Sequence, residues 1–429
     1  MPFHISRYAL ICCVASAMLA GCGGSQPPPI GAPGAMPPSI GTRPPDGAGA
    51  AHYRVLLSFG RYKSDRHGRN PVAPLCYLNG TFYGTTAYGG NRNGIGVVFS
   101  ITPNGKFKVL HVFTAGPGGN EPYTGLTAVD GRLYGTTNEG GTYGYGAIYR
   151  VSTTGDYRML YSFNYPVSDP CDGSAGPTGT LIDVNGTMYG TTIAGGCSDY
   201  GTVYSVSTQG EVHTLHYFGG SDGANPGSGL TNVKGTLYGT TTSGGAHNKG
   251  TVFRISTTGS EQVLFSFNGA DGAFPRAQVI AVDGKLYGTT VRGGSSDSGT
   301  VFSMTMSGKE ETVLHSFSYE NGDGVRPEAA LIDVNGSLYG TTAAGGVYTQ
   351  SAECHSDGCG IIFRITTSGK ETVVHRFQDG YQNDGSVPEA NLVDLNGSLY
   401  GTTEYGGYST PKCISSPPCY YGTVFKFRL

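Results

Sequence analysis

Glu328 and Glu389 stand at the same place in successive copies of a repeated segment, each directly after a proline. Carboxylates paired in this way can serve as acid and base in glycoside cleavage. In the other copies that place holds Val72, Tyr123, Thr178, Gly227 and Arg276. A second place, just before a glycine pair, holds Tyr88, Glu139, Ala194, Ser243, Arg292, Ala344 and Tyr405. Tyrosines, arginines and carboxylates spread over two such series suit a polar ligand such as a glycan or a peptide. Exposed polar loops without a ligand are the plain alternative. The set expected to ring one mouth is Tyr88, Tyr123, Glu139, Arg276, Arg292, Glu328, Glu389 and Tyr405.

Other chemistry-bearing residues keep the period of the repeat and read as scaffold, because catalysis needs an asymmetric set of roles. His111, His216, His315 and His375 occupy one place in four copies, with Leu57, Tyr161 and Phe265 there in the rest. Spread over separate copies, they read as packing groups, and no metal set is expected of them. Asp222, Asp271, Asp323 and Asp384 each precede a glycine and read as turn formers that cap nearby N–H groups. They lack the alternating oxygen donors of a compact calcium loop. Asp183, Asp333 and Asp394, with Asn232, share a further place. They either line a channel and hold a cation or satisfy backbone groups at a strand end, the second being simpler. A tryptophan-containing sialidase box is excluded, since the chain has no tryptophan. No catalytic residue or cofactor is assigned.

The elements that must position these residues repeat seven times. Words such as Leu-Tyr-Gly-Thr-Thr put tyrosines at 83, 134, 189, 238, 287, 339 and 400. A second word, commonly Gly-Thr-Val-Phe, ends at Phe99, Tyr149, Tyr204, Phe253, Phe302, Phe363 and Phe425. A third ends at Phe59, Phe113, Phe163, Phe218, Phe267, Phe317 and Phe377. A period near 50 residues marks a propeller or a repeat array. The sixth copy shows the plan. Ala329 to Val334 is strand A, Asn335-Gly336 a hairpin turn that accepts positive φ, and Ser337 to Thr342 strand B. Residues 361–366 form strand C and residues 371–377 strand D. Four short antiparallel strands make one blade.

The order of words predicts a closed, all-β, seven-bladed propeller. The repeat region opens with Tyr53 to Phe59, a strand D without its blade, and ends with Gly422 to Leu429, a strand C without its D. Paired together, they complete the last blade and hide the edges that an open array exposes. Strand directions put the A–B and C–D turns on one face. The B–C and D–A loops, which carry both variable series, share the other, and variable loops on a fixed scaffold are where binding residues gather.

The unit resembles kelch-type propellers, and Tyr-Gly-Thr-Thr-x-x-Gly-Gly followed by Gly-Thr-Val-Phe resembles more narrowly the GloVer tandem repeat of choice-of-anchor proteins. Blades 1 (Gly96-Val97-Val98-Phe99) and 6 (Gly360-Ile361-Ile362-Phe363) depart mildly from it. The resemblance implies an exported, anchored protein and brings no activity with it. Six cysteines fall in the longer insertions of the variable face: Cys171, Cys197, Cys354, Cys359, Cys413 and Cys419. In an exported protein they read as disulfides, paired 171–197, 354–359 and 413–419 among 15 possible connectivities. Cys76, in a strand A, reads as a buried free thiol.

Residues 1–21 read as a signal peptide: Arg7, then an apolar run too short to span a bilayer, then Leu19-Ala20-Gly21 before Cys22. That ending is similar to a bacterial lipobox and implies lipidation of Cys22. Residues 22–51, rich in proline and glycine, read as a tether of up to ~90 Å, leaving 52–429 as the propeller. Gly23 after the lipidated cysteine favours the outer membrane over the inner. A net charge of −3 without a basic cluster excludes nucleic-acid binding on electrostatic grounds. The expected partners are the membrane, through the anchor, and a glycan or protein ligand, for a monomeric propeller. Three roles follow in order: a binding module at the cell envelope, a structural envelope protein, and a polysaccharide-active enzyme.

Overall fold

The computed structural model describes residues 52–59, 66–91, 94–114, 116–165, 173–346, 354, 357–378, 384–407 and 421–429. The signal peptide, Cys22 and the tether lie outside the described residues, as do Cys171, Cys413 and Cys419.

The fold is a seven-bladed β-propeller, and no α-helix occurs among the described residues. Blade 1 runs Cys76–Leu78, Thr81–Thr86, Gly94–Ile101, Phe107–Thr114 as strands A to D, each paired antiparallel with the next. Six further sheets repeat this order. Every A–B turn has two residues at positive φ, such as Asn79 (49°) and Gly80 (81°), which suits the right-handed twist of a hairpin. The last blade takes its outer strand from the other end of the chain. Tyr53–Ser58 pairs with Thr423–Arg428, which pairs with Ser398–Thr403 and then Val393–Asp394.

Strand A is shorter than the pattern predicts, Ile332–Val334 rather than 329–334. The preceding residues give their backbone groups to neighbouring blades instead of to strand B. The Thr289 hydroxyl donates to the Ala329 carbonyl (3.1 Å), and the Ala330 N–H donates to Asn391 Oδ1 (2.7 Å).

The core lies between blades. At each seam the aromatic that ends strand D meets the strand C aromatic of the next blade edge-on. These seven pairs run from Phe113–Tyr149 round to Phe59–Phe99, at 5.1 to 5.6 Å between centroids. Such pairs contribute about 0.5–1.5 kcal/mol each beyond their buried area. The glycine of Tyr-Gly-Thr-Thr leaves room for that ring, since a methyl on Gly239 would lie 2.6 Å from Phe253 Cζ. The first threonine bonds across the seam, as from Thr240 to the Ala277 carbonyl and from Thr402 to the Ala73 carbonyl, at 3.0 and 3.2 Å. The seam between blades 7 and 1 is thus built like the others.

Candidate functional site

The two variable series meet because each D–A loop is zipped to the B–C loop of its own blade. Arg69 pairs with Tyr88, Asn120 with Glu139, Ala175 with Ala194, Ala224 with Ser243, Ala273 with Arg292, Val325 with Ala344 and Ser386 with Tyr405. The loops are then latched to the preceding blade. The residue before each proline is left-handed, with φ between 54° and 61° at Asn70, Glu121, Gly176, Asn225, Phe274, Arg326 and Val387. Left-handed backbone at residues with a Cβ is strained, and tertiary structure must hold it. The hold is a bond from its N–H to a carbonyl of the preceding blade, 2.7 to 3.1 Å long, as from Arg326 to Ser298. The proline ring then packs on the glycine that opens Gly-Thr-Val-Phe. Binding side chains set on such latched loops are held in place by the scaffold.

Over blades 5, 6, 7, 1 and 2 these loops present one arc of polar groups. Glu328 accepts from Arg276 Nη1 (3.2 Å) and from Arg326 Nη2 (2.9 Å). Beside it, the Glu389 carboxyl is held well above the usual range by burial, then by the charges of Glu328 and Glu404, with Arg326 and Arg276 opposing. The Glu404 carboxyl is raised by burial and bonded by the Tyr405 phenol. The Tyr88 phenol is raised by burial and feels the charges of Glu121, Glu404 and Glu139. Its hydroxyl bonds that of Tyr123, the rings standing edge-on at 6.1 Å. Arg69 lies 5.7 Å over the Tyr88 ring, within cation–π range. Glu121 is raised by burial and by Glu139, and Asn120 Nδ2 donates to Glu139 (3.5 Å). Blades 3 and 4 carry only Thr178, Ala194, Gly227 and Ser243 there, a notch of small side chains.

Of the eight expected residues, seven join this arc, and Arg292 stands exposed at its blade 5 end. Four contributors were not anticipated: Arg69, Glu121, Arg326 and Glu404. Glu121 and Arg326 sit just before the proline, where the chemistry also changes from blade to blade. Comparing that place as well as the one after it would have found them.

Below the mouth is a channel cavity of about 250 Å³, lined by Thr180, Gln278 and Asn391 among leucines. It carries none of the strand A carboxylates. Asp183, Asn232, Asp333 and Asp394 each accept the glycine N–H of their own A–B turn (2.9 to 3.1 Å), which answers the cation alternative with the simpler one. Asp222, Asp271, Asp323 and Asp384 cap loop N–H groups as turn formers. A disulfide joins Cys354 to Cys359, and Cys197 is also disulfide-bonded. Cys76 is a free thiol, partly rather than fully buried, and burial pushes it up to about 11.

A sequence profile described as the Gloeobacter/Verrucomicrobia repeat matches residues 46–174 and 167–352. No curated protein matches the sequence. Among solved structures, a Bacteroides uniformis protein described as a candidate 6-phosphogluconolactonase is 12% identical over 71% of this chain and 84% of its own, with a TM-score of 0.46. A gluconolactonase from Xanthomonas campestris is 11% identical over 65% and 77%, with a TM-score of 0.38. The tricorn protease is 10% identical over 79% of this chain and 28% of its own, with a TM-score of 0.41. Likeness of this degree transfers neither activity nor substrate.

Proposed function

We propose that this chain, which belongs to the Gloeobacter/Verrucomicrobia repeat family, is a binding module that holds a hydroxyl-rich polar ligand, such as a glycan, at the mouth of its propeller. We place it at the cell envelope, exported and carried by a lipid on Cys22, as the residues before that cysteine suggest. One observation carries the binding reading: the mouth breaks the sevenfold repetition that rules the rest of the fold. Five blades offer guanidinium donors, carboxylate acceptors and phenols that do both, while two offer only small side chains at the same places. Sugar hydroxyls need donors and acceptors side by side, and flat phenol rings suit the apolar faces of a pyranose. Mixed charge on the arc disfavours a polyanion.

A second reading rests on the unequal environments of Glu328 and Glu389. Burial, and then the charge of Glu328, raise the Glu389 carboxyl well above the usual range, while Glu328 bonds two guanidiniums. Carboxylates set apart in this way are a pattern for an acid and its partner in glycoside cleavage.

Thermal melting of the chain against a glycan panel tests the first reading. A ligand that binds only the folded state stabilises it by about 2.7 kcal/mol at a hundredfold excess over its dissociation constant. We expect a glycan to raise the melting temperature and Arg276→Ala to weaken that binding tenfold or more, since a charge-assisted hydrogen bond contributes about 1.5–3 kcal/mol. A panel without any shift, or a shift that survives both Arg276→Ala and Glu389→Gln, rejects the site. A shift produced by peptides alone replaces the ligand class. Turnover of the bound glycan would establish the second reading.

A further inference from the structure

On the outer side of the ring, two crevices between neighbouring blades each gather a histidine, an aspartate and a glutamate. Between blades 3 and 4 they are His216, Asp222 and Glu261, and between blades 5 and 6 they are His315, Asp323 and Glu371. The histidine and the aspartate come from one blade, in strand D and the loop after it. The glutamate opens strand D of the next. One ligand atom from each member lies within 4.8 Å of the other two. The histidines compared only with one another do not reveal this, because the third member comes from a different repeat.

The details point to a missing positive partner. His216 Nε2 is hydrogen-bonded to Asp222 Oδ2 at 2.9 Å and His315 Nε2 to Asp323 Oδ2 at 3.1 Å, and Asp323 Oδ2 also accepts the Ser318 N–H at 3.2 Å. The other aspartate oxygen in each crevice is already taken, by the N–H of Gly219 and of Gly324. In both crevices Oε1 of the glutamate is buried and has no hydrogen-bond partner. Such a group is costly to leave without compensation. The second crevice opens on a cavity of about 470 Å³, room enough for metal-bound water.

Two of the other five seams show what happens when one member is replaced. Between blades 4 and 5 the histidine is Phe265, leaving Asp271 and Glu311, whose Oε1 is likewise buried without a hydrogen-bond partner. Between blades 6 and 7 the glutamate is Tyr53, whose ring stacks on His375 at 4.2 Å, with Asp384 at 3.4 Å from that imidazole. Two complete sets therefore exist among the described residues, not four.

We propose that these two crevices are divalent-cation sites, fitting zinc in particular, each closed by one imidazole nitrogen, two carboxylate oxygens and a water. One nitrogen with two carboxylates and an open position matches zinc's tetrahedral preference and excludes neither manganese nor other borderline ions. A cation there bonds residues of two blades at once and staples the outer rim at alternate seams.

The experiment is equilibrium dialysis of the full chain against zinc alone, followed by metal counting and melting, with manganese and calcium alongside. The expected result is two zinc ions per chain, retained against dialysis, and a raised melting temperature. His216→Phe copies Phe265 and Glu371→Tyr copies Tyr53, so each variant installs a side chain the fold already accepts at the equivalent place. His216→Phe should retain one ion and the double variant none, each lost site binding at least a hundredfold more weakly. The proposal is overturned if the folded chain retains no divalent ion, or if the ion count is the same in parent and double variant.

Discussion

Glu311 sits in the seam where Phe265 replaces the histidine, so its carboxyl faces Asp271 without an imidazole. Burial, and then the charge of Asp271, push it up to about 7 from an ordinary value of 4.5. The folded state thus keeps a proton that the unfolded state has already lost. Stability contributed by this position falls as pH rises from 4.5 through 7 and stays low above it. Glu311→Gln should therefore match the parent at pH 4 and exceed it by ~1 kcal/mol at pH 8, after allowance for solvent screening at a partly exposed side chain. Paired denaturation curves at the two pH values measure this, and a variant less stable at pH 8 would refute it. Glycines separate two kinds of constraint. Gly250 has φ of +97°, and a methyl there would sit 2.4 Å from the Thr241 carbonyl and 2.7 Å from Pro275 Cδ. Gly235 has φ of +85° and nothing within 4 Å. Gly250→Ala should cost about 2–4 kcal/mol by chemical denaturation and Gly235→Ala about 1. Equal losses would show that the latch does not press on this glycine.

At the scale of elements, the strand from Tyr53 to Ser58 joins the two ends of the repeat region. It pairs along residues 423–427 and leads to Phe59, which is 1% exposed against blade 1. Deleting residues 53–59 should cost about 5 kcal/mol or more, because one buried phenylalanine alone accounts for 3–5. Supplying the strand as a separate peptide should restore part of the loss. An unchanged melting temperature would mean that the last blade does not depend on this strand. Most of this layer was legible in the sequence. Tyr-Gly-Thr-Thr, Gly-Thr-Val-Phe and the aromatic ending strand D set blade number, strand order and the A–B turns, because each word meets the same neighbours at every seam. Strand A came out shorter because its first residues bond side chains of the next blade, such as Asn391, and alternation of residue types carries no sign of that.

The whole molecule sets a nearly symmetric ring beneath an asymmetric mouth. Seven of the eight residues picked out from the variable places form the arc, so its location was legible. Its connections were not. The bond of Arg276 to Glu328 and the proximity of Glu404 to Tyr88 join different blades, and spacing along the chain does not encode them. The same holds for His216 and Glu261, which belong to different repeats. The central claim is that the ligand sits on this arc. Backbone hydrogen exchange of the chain, with and without the glycan that raises its melting temperature most, tests it directly. Protection confined to the loops of the arc, residues 69–72, 88–90, 119–124, 137–141, 273–276, 325–328, 387–391 and 404–406, with the A–B turns unchanged, is the predicted result. Protection at the A–B turns, or along the outer strands instead of the mouth, would contradict it.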